Sequence, residues 1–519
     1  MGEKYIFGTN KKIEGEYDKT LAIKCATGTY VGSLDDGVLS FKGIRYGQAP
    51  VGKLRWHDPV PVEDSNDVFE AKYYSNACPQ SAGLPTPQSE DCLMLNIWTD
   101  PATISQKKPV MVWIHGGAFV VEAAGDYIYH GHNFSVAHKD EVVLVTIEYR
   151  LGVTGFIQLE ELFGPEYKNS NNLGLLDQIE ALKWVKRNIA SFGGDPDQIT
   201  IFGESAGAGS TSLLSISPKA QGLFKRSISQ SGASGFAFSR EYMLEKTKEW
   251  IKKNNCKTID DLLALPMEAL CEGFQVAPTY QSEVLPYDNY EQMFEAWRSG
   301  IGKDIDMMTG TNQDEMAYFV VSLNDPYAFA AREYNLQDQR RSYIADEDKR
   351  RFDKLMEIEG NNDILTPLMR MTNDLIFHAQ AFAQSIKHGE TEGSGKTYFY
   401  HCITDSHIDP KKYQGFKIGS CHAVEVSYVL NNIDWPEVSG PNQSPEFAET
   451  LQRMWINFAK TGDPSIPGIE WPEFNKNNWN VMVLDDGKKG GIRIDNTLLK
   501  DEMDLVLPLA KYRTMEAGL

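Results

Sequence analysis

Ser205 stands at the centre of Gly203-Glu204-Ser205-Ala206-Gly207, a Gly-x-Ser-x-Gly pentapeptide. Such a serine suits a nucleophile at the apex of a tight strand-to-helix turn, where a Cβ on either glycine would strike the neighbouring strand or helix. Alone the pentapeptide is weak, because with Gly and Ser each near roughly 7% it arises by chance about once in several chains of this length. Its context is stronger: Ile199-Thr-Ile-Phe202 enters as a strand pattern and Ala206 to Thr211 leaves as a run of small residues compatible with a helix. An activated serine also needs a base, an acid to hold the base, and donors for the oxyanion. His115-Gly116-Gly117-Ala118 ends a buried strand pattern and offers a glycine-rich turn whose N–H groups face a concave nest. The N–H of Ala206, first in the helix after the serine, is the natural companion donor. Taken by itself, His115-Gly-Gly is equally an ordinary strand-ending turn.

In a strand–turn–helix hydrolase of this kind the chain order is nucleophile, acid, histidine. Five histidines follow Ser205: His378, His388, His401, His407 and His422. His378 falls in a helical pattern, His401 near a strand end, and His388 in a polar run that reads as solvated. His407 and His422 lie beyond the last buried strand, where a base must sit, and chemistry alone does not separate them. For the acid, Asp314 and Glu315 directly follow a strand in Met308-Thr-Gly-Thr-Asn-Gln-Asp-Glu315, although most paired acids are a solvated face.

The elements that would position these groups alternate in type. A first hairpin is expected from Thr27–Leu34 and Val38–Tyr46 about Asp35-Asp36-Gly37, then strands at Leu93–Trp98, Lys108–Ile114 and Val142–Ile147. Apolar residues at 176, 179, 182, 185 and 189 predict a helix that Phe192-Gly-Gly-Asp-Pro196 ends, and Phe224–Ser231 resumes a strand. This alternation predicts an α/β fold, a large and mostly parallel central sheet with helices on both faces. Glu241 to Gly300 and Ala330 to Gln384 read mainly as helices, with strands at Asp306–Gly310 and Thr397–Cys402. Helical insertions at about 240–300 and 325–390 predict a cap on the active-site end. A helix around Glu449–Lys460 and a hairpin on Asp485-Asp486-Gly487 complete the chain. No repeat or linker divides residues 1–519, so one domain is expected.

Composition narrows the partners. With 51 Lys and Arg against 72 Asp and Glu the formal charge is -21, which disfavours nucleic acid and anionic membrane surfaces. No apolar stretch approaches a membrane span and the first dozen residues lack an apolar core of signal length, so a cytoplasmic protein is expected. The seven cysteines are scattered, with no zinc-site spacing, and read as buried thiols.

Several ordered segments resemble the type-B carboxylesterases of the α/β-hydrolase superfamily, which include cholinesterases and para-nitrobenzyl esterase-like enzymes. They are Phe41-Lys-Gly-Ile-Arg-Tyr46, Ser89-Glu-Asp-Cys-Leu-Met-Leu-Asn96, His115-Gly-Gly-Ala-Phe119, Tyr149-Arg-Leu-Gly152, Asn172-Leu-Gly-Leu-Leu-Asp-Gln178, Phe202-Gly-Glu-Ser-Ala-Gly207 and Trp455 to Pro464. The resemblance covers nearly the whole chain and implies the α/β-hydrolase fold with a helical cap. Its Gly-x-Asn-x-x-Glu pattern matches Gly310 to Glu315 and implies Glu315 as the acid. Its His-x-x-Glu pattern matches His422 to Glu425 and implies His422 as the base. It assigns the oxyanion donors to Gly117, Ala118 and Ala206. Met316 departs from the family's small or aromatic residue, which puts the packing of the acid loop in question. Cys78 and Cys92 match the family's first disulfide pair, whereas a cytosol would favour thiols, so both states stay open. No tryptophan lies between Pro79 and Asp91, where cholinesterases place their choline-binding one, which argues against choline esters.

The expected activity is hydrolysis of small-molecule carboxylic esters through an acyl-enzyme on Ser205, His422 and Glu315, with no metal or cofactor. Glu204, beside the nucleophile, is expected to disfavour anionic acyl groups. An amidase, carbamate hydrolase or lipase would share this chemistry, and a non-catalytic binding protein on the same scaffold is the rival from another class. Oligomeric state, monomer or dimer, is left open.

Overall fold

The computed structural model describes residues 7–83, 86–322, 345–359, 365–390, 395–413, 415–433 and 437–510. They divide into two compact units, Met1–Ser227 with Ala237–Asn289 and Ile228–Phe236 with Tyr290–Leu519.

In the first unit β1 (Ala22–Cys25) pairs antiparallel with β2 (Gly28–Val31). The continuous strand expected at Thr27–Leu34 is broken at Gly32, where a Cβ would lie 2.3 Å from the Ser40 carbonyl oxygen. The half after the break, β3 (Ser33–Asp35), pairs instead with β4 (Val38–Arg45) about the expected Asp35-Asp36-Gly37 turn. The short β5 (Val68–Glu70) runs parallel to β2 and closes this small sheet.

The larger sheet of this unit is built on β7 (Lys108–Ile114), with β8 (Val143–Ile147) and β9 (Gly194–Glu204) parallel to it on either side. Val110 to Ile114 are fully buried, as a near-continuous apolar run covered on both faces should be. Each such side chain contributes on the order of 2 kcal/mol by leaving water. Beyond β8 the sheet turns antiparallel through β6 (Met94–Thr99), β4 and β3, so a parallel centre carries an antiparallel edge.

The helix Leu173–Asn188 lays Leu175, Ile179, Leu182 and Val185 into the core. It starts one turn before the first apolar residue of the pattern, because Gly174 there packs against the Phe156 ring and the Arg150 carbonyl. Its Asp177 is fully buried and takes two bonds from the Arg150 guanidinium, at 2.8 and 2.7 Å, and one from the Arg150 N–H. The remaining Arg150 nitrogen reaches the His57 carbonyl at 2.9 Å. A buried carboxylate held this way is stable only while its partner is present.

The expected helices of the middle third include Arg240–Lys253 in the first unit and Tyr290–Ser299, Asp346–Glu359, Leu365–Asn373 and Ala379–Gly389 in the second. Residues 325–344 and 360–364 of the expected second insertion lie outside the described residues. Strand β10 (Arg226–Gln230) begins in the first unit and ends in the second. There it is followed by β11 (Asp306–Asn312), β12 (Thr397–Cys402) and β13 (Val481–Leu484), the last three parallel, and by β14 (Arg493–Asp495), antiparallel to β13. The Asp485-Asp486-Gly487 turn is thus part of a longer loop, in which the Asp485 carboxylate accepts the N–H groups of Lys489 and Gly491. Phe382, stacked between Phe399 and Trp479 with centroids 4.1 and 4.9 Å away, fastens the helix Ala379–Gly389 to this sheet. His388, expected in a solvated run, is fully buried and bonds Thr397 Oγ1 at 2.7 Å. Its burial, which the flanking polar residues disguise, pushes the imidazole down to about 4.

Replacing Arg150 with Leu leaves Asp177 buried without its counter-charge, and an unfolding-free-energy loss of about 3–5 kcal/mol is expected by chemical denaturation. Arg45→Ala, which breaks a half-exposed pair with Asp91, should cost no more than about 1 kcal/mol.

Candidate active site

Ser205 sits between β9 and the helix Ala206–Ser215 with φ 56° and ψ −122°, a backbone state that non-glycine residues occupy at a cost of about 1–3 kcal/mol. The cause lies on either side. A Cβ on Gly207 would be 2.0 Å from the Ile114 carbonyl oxygen, and one on Gly203 would be 2.5 Å from that same atom. Strand and helix therefore meet the end of β7 backbone to backbone, and the serine between them takes the strain. The turn also brings Gly116 against the serine, since a Cβ on Gly116 would lie 3.2 Å from Ser205 Cβ and 3.0 Å from Glu204 Oε2.

The segment after β7 is equally constrained. Gly117, Ala118, Phe119 and Glu122 all have left-handed φ, of 84°, 54°, 63° and 75°. A Cβ on Gly117 would fall 2.1 Å from the Val121 carbonyl oxygen, so that glycine cannot be replaced without moving the turn. Three side chains hold it. Tyr149 donates to the His115 carbonyl at 2.9 Å, Gln275 donates to the Ala118 carbonyl at 3.0 Å, and the Gln80 amide both accepts the Glu122 N–H and donates to the Glu122 carbonyl. Gln80 is fixed within the loop that the Cys78–Cys92 disulfide closes. Within the turn the Gly117 carbonyl accepts the N–H groups of Val120 and Val121, both at 2.9 Å. Ala206, buried, opens the helix after the serine.

In the second unit β11 delivers Glu315 at the start of the helix Glu315–Ser322. Its Oε1 accepts the Asn312 N–H at 2.7 Å and its Oε2 bonds His422 Nδ1 at 2.6 Å, both side chains being buried. That bond assigns the proton of His422 to Nδ1 and makes Nε2 the basic nitrogen. Phe319 and Phe377 pack against the imidazole at 5.2 and 4.9 Å. The competing candidates go elsewhere: Asp314 accepts the Ser420 N–H at 3.0 Å, and His407 bonds the carbonyls of Pro441 and Asn442. Met316 is fully buried and its N–H donates to Asn373 Oδ1, so the acid loop tolerates it by a backbone bond.

A second carboxyl lies behind the first. Glu425 accepts from Asn312 Nδ2 at 2.7 Å, Gln230 Nε2 at 3.1 Å and the Tyr400 hydroxyl at 3.3 Å. Burial pushes its carboxyl up, and the charge of Glu315 adds to that, against the lowering effect of its donors. Asn312 thus serves both acids, its N–H one and its side chain the other. The spacing His422-x-x-Glu425 contained a hint of this; the involvement of Gln230 and Tyr400 comes only from the chain's return through β10 and β12. Glu122 had no sequence signal at all. Burial pushes its carboxyl up to about 7, against the lowering effect of the Tyr129 hydroxyl bonded to it and with Asp126 adding to the rise.

The sequence profile of the carboxylesterase family matches residues 20–506. The chain is 34% identical over 491 residues to a para-nitrobenzyl esterase of Bacillus subtilis, covering 88% of this chain and 93% of that one. It is 28% identical over 524 residues to an acetylcholinesterase of Danio rerio, covering 86% and 81%. Among solved structures, a carboxylesterase of Geobacillus stearothermophilus superimposes with a TM-score of 0.81 at 30% identity over 93% of this chain and 99% of the other. A PNB esterase gives 0.77 at 30% over 94% and 100%.

Glu122 makes stability depend on pH in a defined sense. Its folded value, about 7, exceeds the ordinary glutamate value of about 4.3, so the folded state holds a proton that the unfolded chain has released. Stability contributed by that proton is present at low pH and is lost as pH rises through this window. Thermal unfolding of Glu122→Gln should show a shallower decline across it than the wild type, with the variant gaining most above neutrality.

Proposed function

We propose that this chain, which belongs to the carboxylesterase family and is a carboxylic-ester hydrolase with the α/β-hydrolase fold, works through Ser205 as nucleophile, His422 as base and Glu315 as the acid that holds the base. The observation that carries this reading is the buried 2.6 Å bond between Glu315 and His422. It is supported by the strained Ser205 turn and by the clamped segment from Gly116 to Glu122.

In the proposed cycle the Ser205 hydroxyl attacks the ester carbonyl as His422 Nε2 takes its proton. Glu315 keeps the other imidazole proton on Nδ1 and stabilises the imidazolium that forms. The carbonyl oxygen, now an oxyanion, is received by the N–H groups of Gly117, Ala118 and Ala206, which act where the charge develops. Collapse breaks the ester C–O bond, the alcohol leaves with the proton from His422, and the acyl group stays on Ser205. Water repeats the sequence and releases the acid. Gly116 has a steric role, because only a residue without a Cβ lets the turn approach Ser205 and Glu204 this closely.

The proposed substrates are small neutral carboxylic esters. No helix among the described residues is long and apolar enough to cross a membrane. A cytoplasmic location remains part of the proposal, while the Cys78–Cys92 disulfide is a bond more usual in oxidising compartments.

Ser205→Ala should lower p-nitrophenyl ester turnover by at least about 10³-fold with unchanged circular dichroism; near wild-type turnover would remove the assignment. An acyl series on the wild type should peak at short chains, and a long-chain optimum would identify a lipase instead. The carboxyl of Glu204, packed beside Gly116, is expected to repel anionic acyl groups, so Glu204→Gln should narrow the preference for neutral over anionic esters. An unchanged preference refutes that role.

A further inference from the structure

Between the helices Leu365–Asn373 and Ala379–Gly389 the backbone widens into a single π-turn, Asp374–His378. Such turns are rare and recur at functional positions. This one touches His422 directly and reaches Glu315 through Asn312. Phe377 packs its ring on His422 with centroids 4.9 Å apart, and the next residue, His378, bonds the Asn312 carbonyl through Nε2 at 2.9 Å. Asn312 is the residue whose N–H holds Glu315 Oε1. Two consecutive side chains of one helix therefore brace the base and the acid loop together.

The bonds of His378 determine where its protons are. A carbonyl oxygen only accepts, so Nε2 must carry a hydrogen. Nδ1 lies 2.7 Å from Asp374 Oδ1, and two lone pairs cannot face each other at that distance. A proton must lie between them. Both side chains are buried, and the ionisable groups that face the imidazole are Asp374 on the same turn, Glu315 across from it on the acid loop, and His401 on β12. The His401 ring stands edge-on to His378 at 5.3 Å, and its Nδ1 bonds Thr311 Oγ1. Burial, together with the neighbouring charge of His378, keeps His401 neutral by pushing its imidazole far down. Burial opposes a charge on His378 as well, but its bond to Asp374, the Asp374 charge, the Asn312 carbonyl and the charge of Glu315 together raise it above the ordinary imidazole value.

We propose that His378 and Asp374 form a proton-holding positioning pair for the Glu315–His422 couple, and that release of its shared proton loosens the acid loop and sets the alkaline limit of turnover. The inference rests on the reading of Glu315 and His422 as acid and base. With the shared proton gone, the lone pair of Nδ1 faces the Asp374 carboxylate. The imidazole can escape that repulsion only by giving up the Asn312 carbonyl, and Glu315 then loses its fixed anchor. Misplacement of a catalytic group by about an ångström is enough to cost about 100-fold in rate.

Asp374→Asn isolates the proton from the packing, because its amide N–H can donate to Nδ1 while Nε2–H still holds Asn312. The pH profile of kcat on a p-nitrophenyl ester is the test, with the wild type, Asp374→Asn and His378→Leu measured together. A descending alkaline limb is expected in the wild type, which Asp374→Asn should abolish while keeping kcat at neutral pH within about 3-fold and KM unchanged. His378→Leu should lower kcat by about 10- to 100-fold with KM retained. If His378→Leu does not fold, the Asp374→Asn profile decides alone, alongside the 13C titration of the His378 imidazole, whose midpoint should coincide with the wild-type limb. A wild-type kcat that stays flat up to alkaline unfolding, or a limb unmoved in Asp374→Asn, overturns the proposal while leaving the Glu315–His422 reading intact. Retained turnover in His422→Gln would instead overturn that reading and the inference built on it.

Discussion

Everything around Ser205 depends on one steric constraint, the meeting of backbones where β9 and its following helix pass the end of β7. The Ile114 carbonyl oxygen occupies the space that a side chain on Gly203 or Gly207 would need. That contact sets the sharpness of the turn, and a turn so sharp admits only one conformation for the residue between. Ser205 pays in backbone strain, which the buried parallel strands over-determine. The same closeness removes any side chain from position 116 and starts the run of left-handed residues that follows. Ser205 and the segment after β7 are thus products of one packing problem.

The second unit solves a different problem, the burial of carboxyls. Two glutamates, 315 and 425, share the amide groups of Asn312, and burial together with the charge of Glu315 raises the cost of charging Glu425. Hydrogen bonds from Gln230 and Tyr400 and from the backbone reduce that cost without removing it. Behind Asn312 the His378–Asp374 pair ends the chain of donors and acceptors on a further buried proton. Such shared donors and acceptors couple the members, so that moving one disturbs the others.

The first unit also holds carboxyls beside its constrained turn. Glu122 places a carboxyl beside the clamped turn in an environment that raises it to about 7, and Glu204 lies against Gly116. The chain charge of -21 adds a net negative field to these two carboxyls. Salt weakens the part of this that arises from exposed groups and leaves the buried part nearly untouched.

How much of this the sequence determined follows from what its local patterns can encode. The strands at Lys108–Ile114 and Thr397–Cys402, the helix after Ser205 and the glycines of the turn were legible because periodicity and glycine placement are local properties. The antiparallel edge of the sheet, the break at Gly32 and the burial of His388 were not, since each depends on which distant backbone or ring arrives beside it. Spacing and chain order left Asp314 with Glu315 and His407 with His422 as equal candidates, and only a resemblance to known esterases ranked them. Tertiary structure pairs Glu315 with His422 and sends the other two to Ser420 and to the carbonyls of Pro441 and Asn442. Gln80 and Gln275 left no local mark, because the backbone groups that they hold lie 42 and 157 residues away. Residue types limited the candidates; the fold decided which of them meet, through contacts that no window of sequence contains.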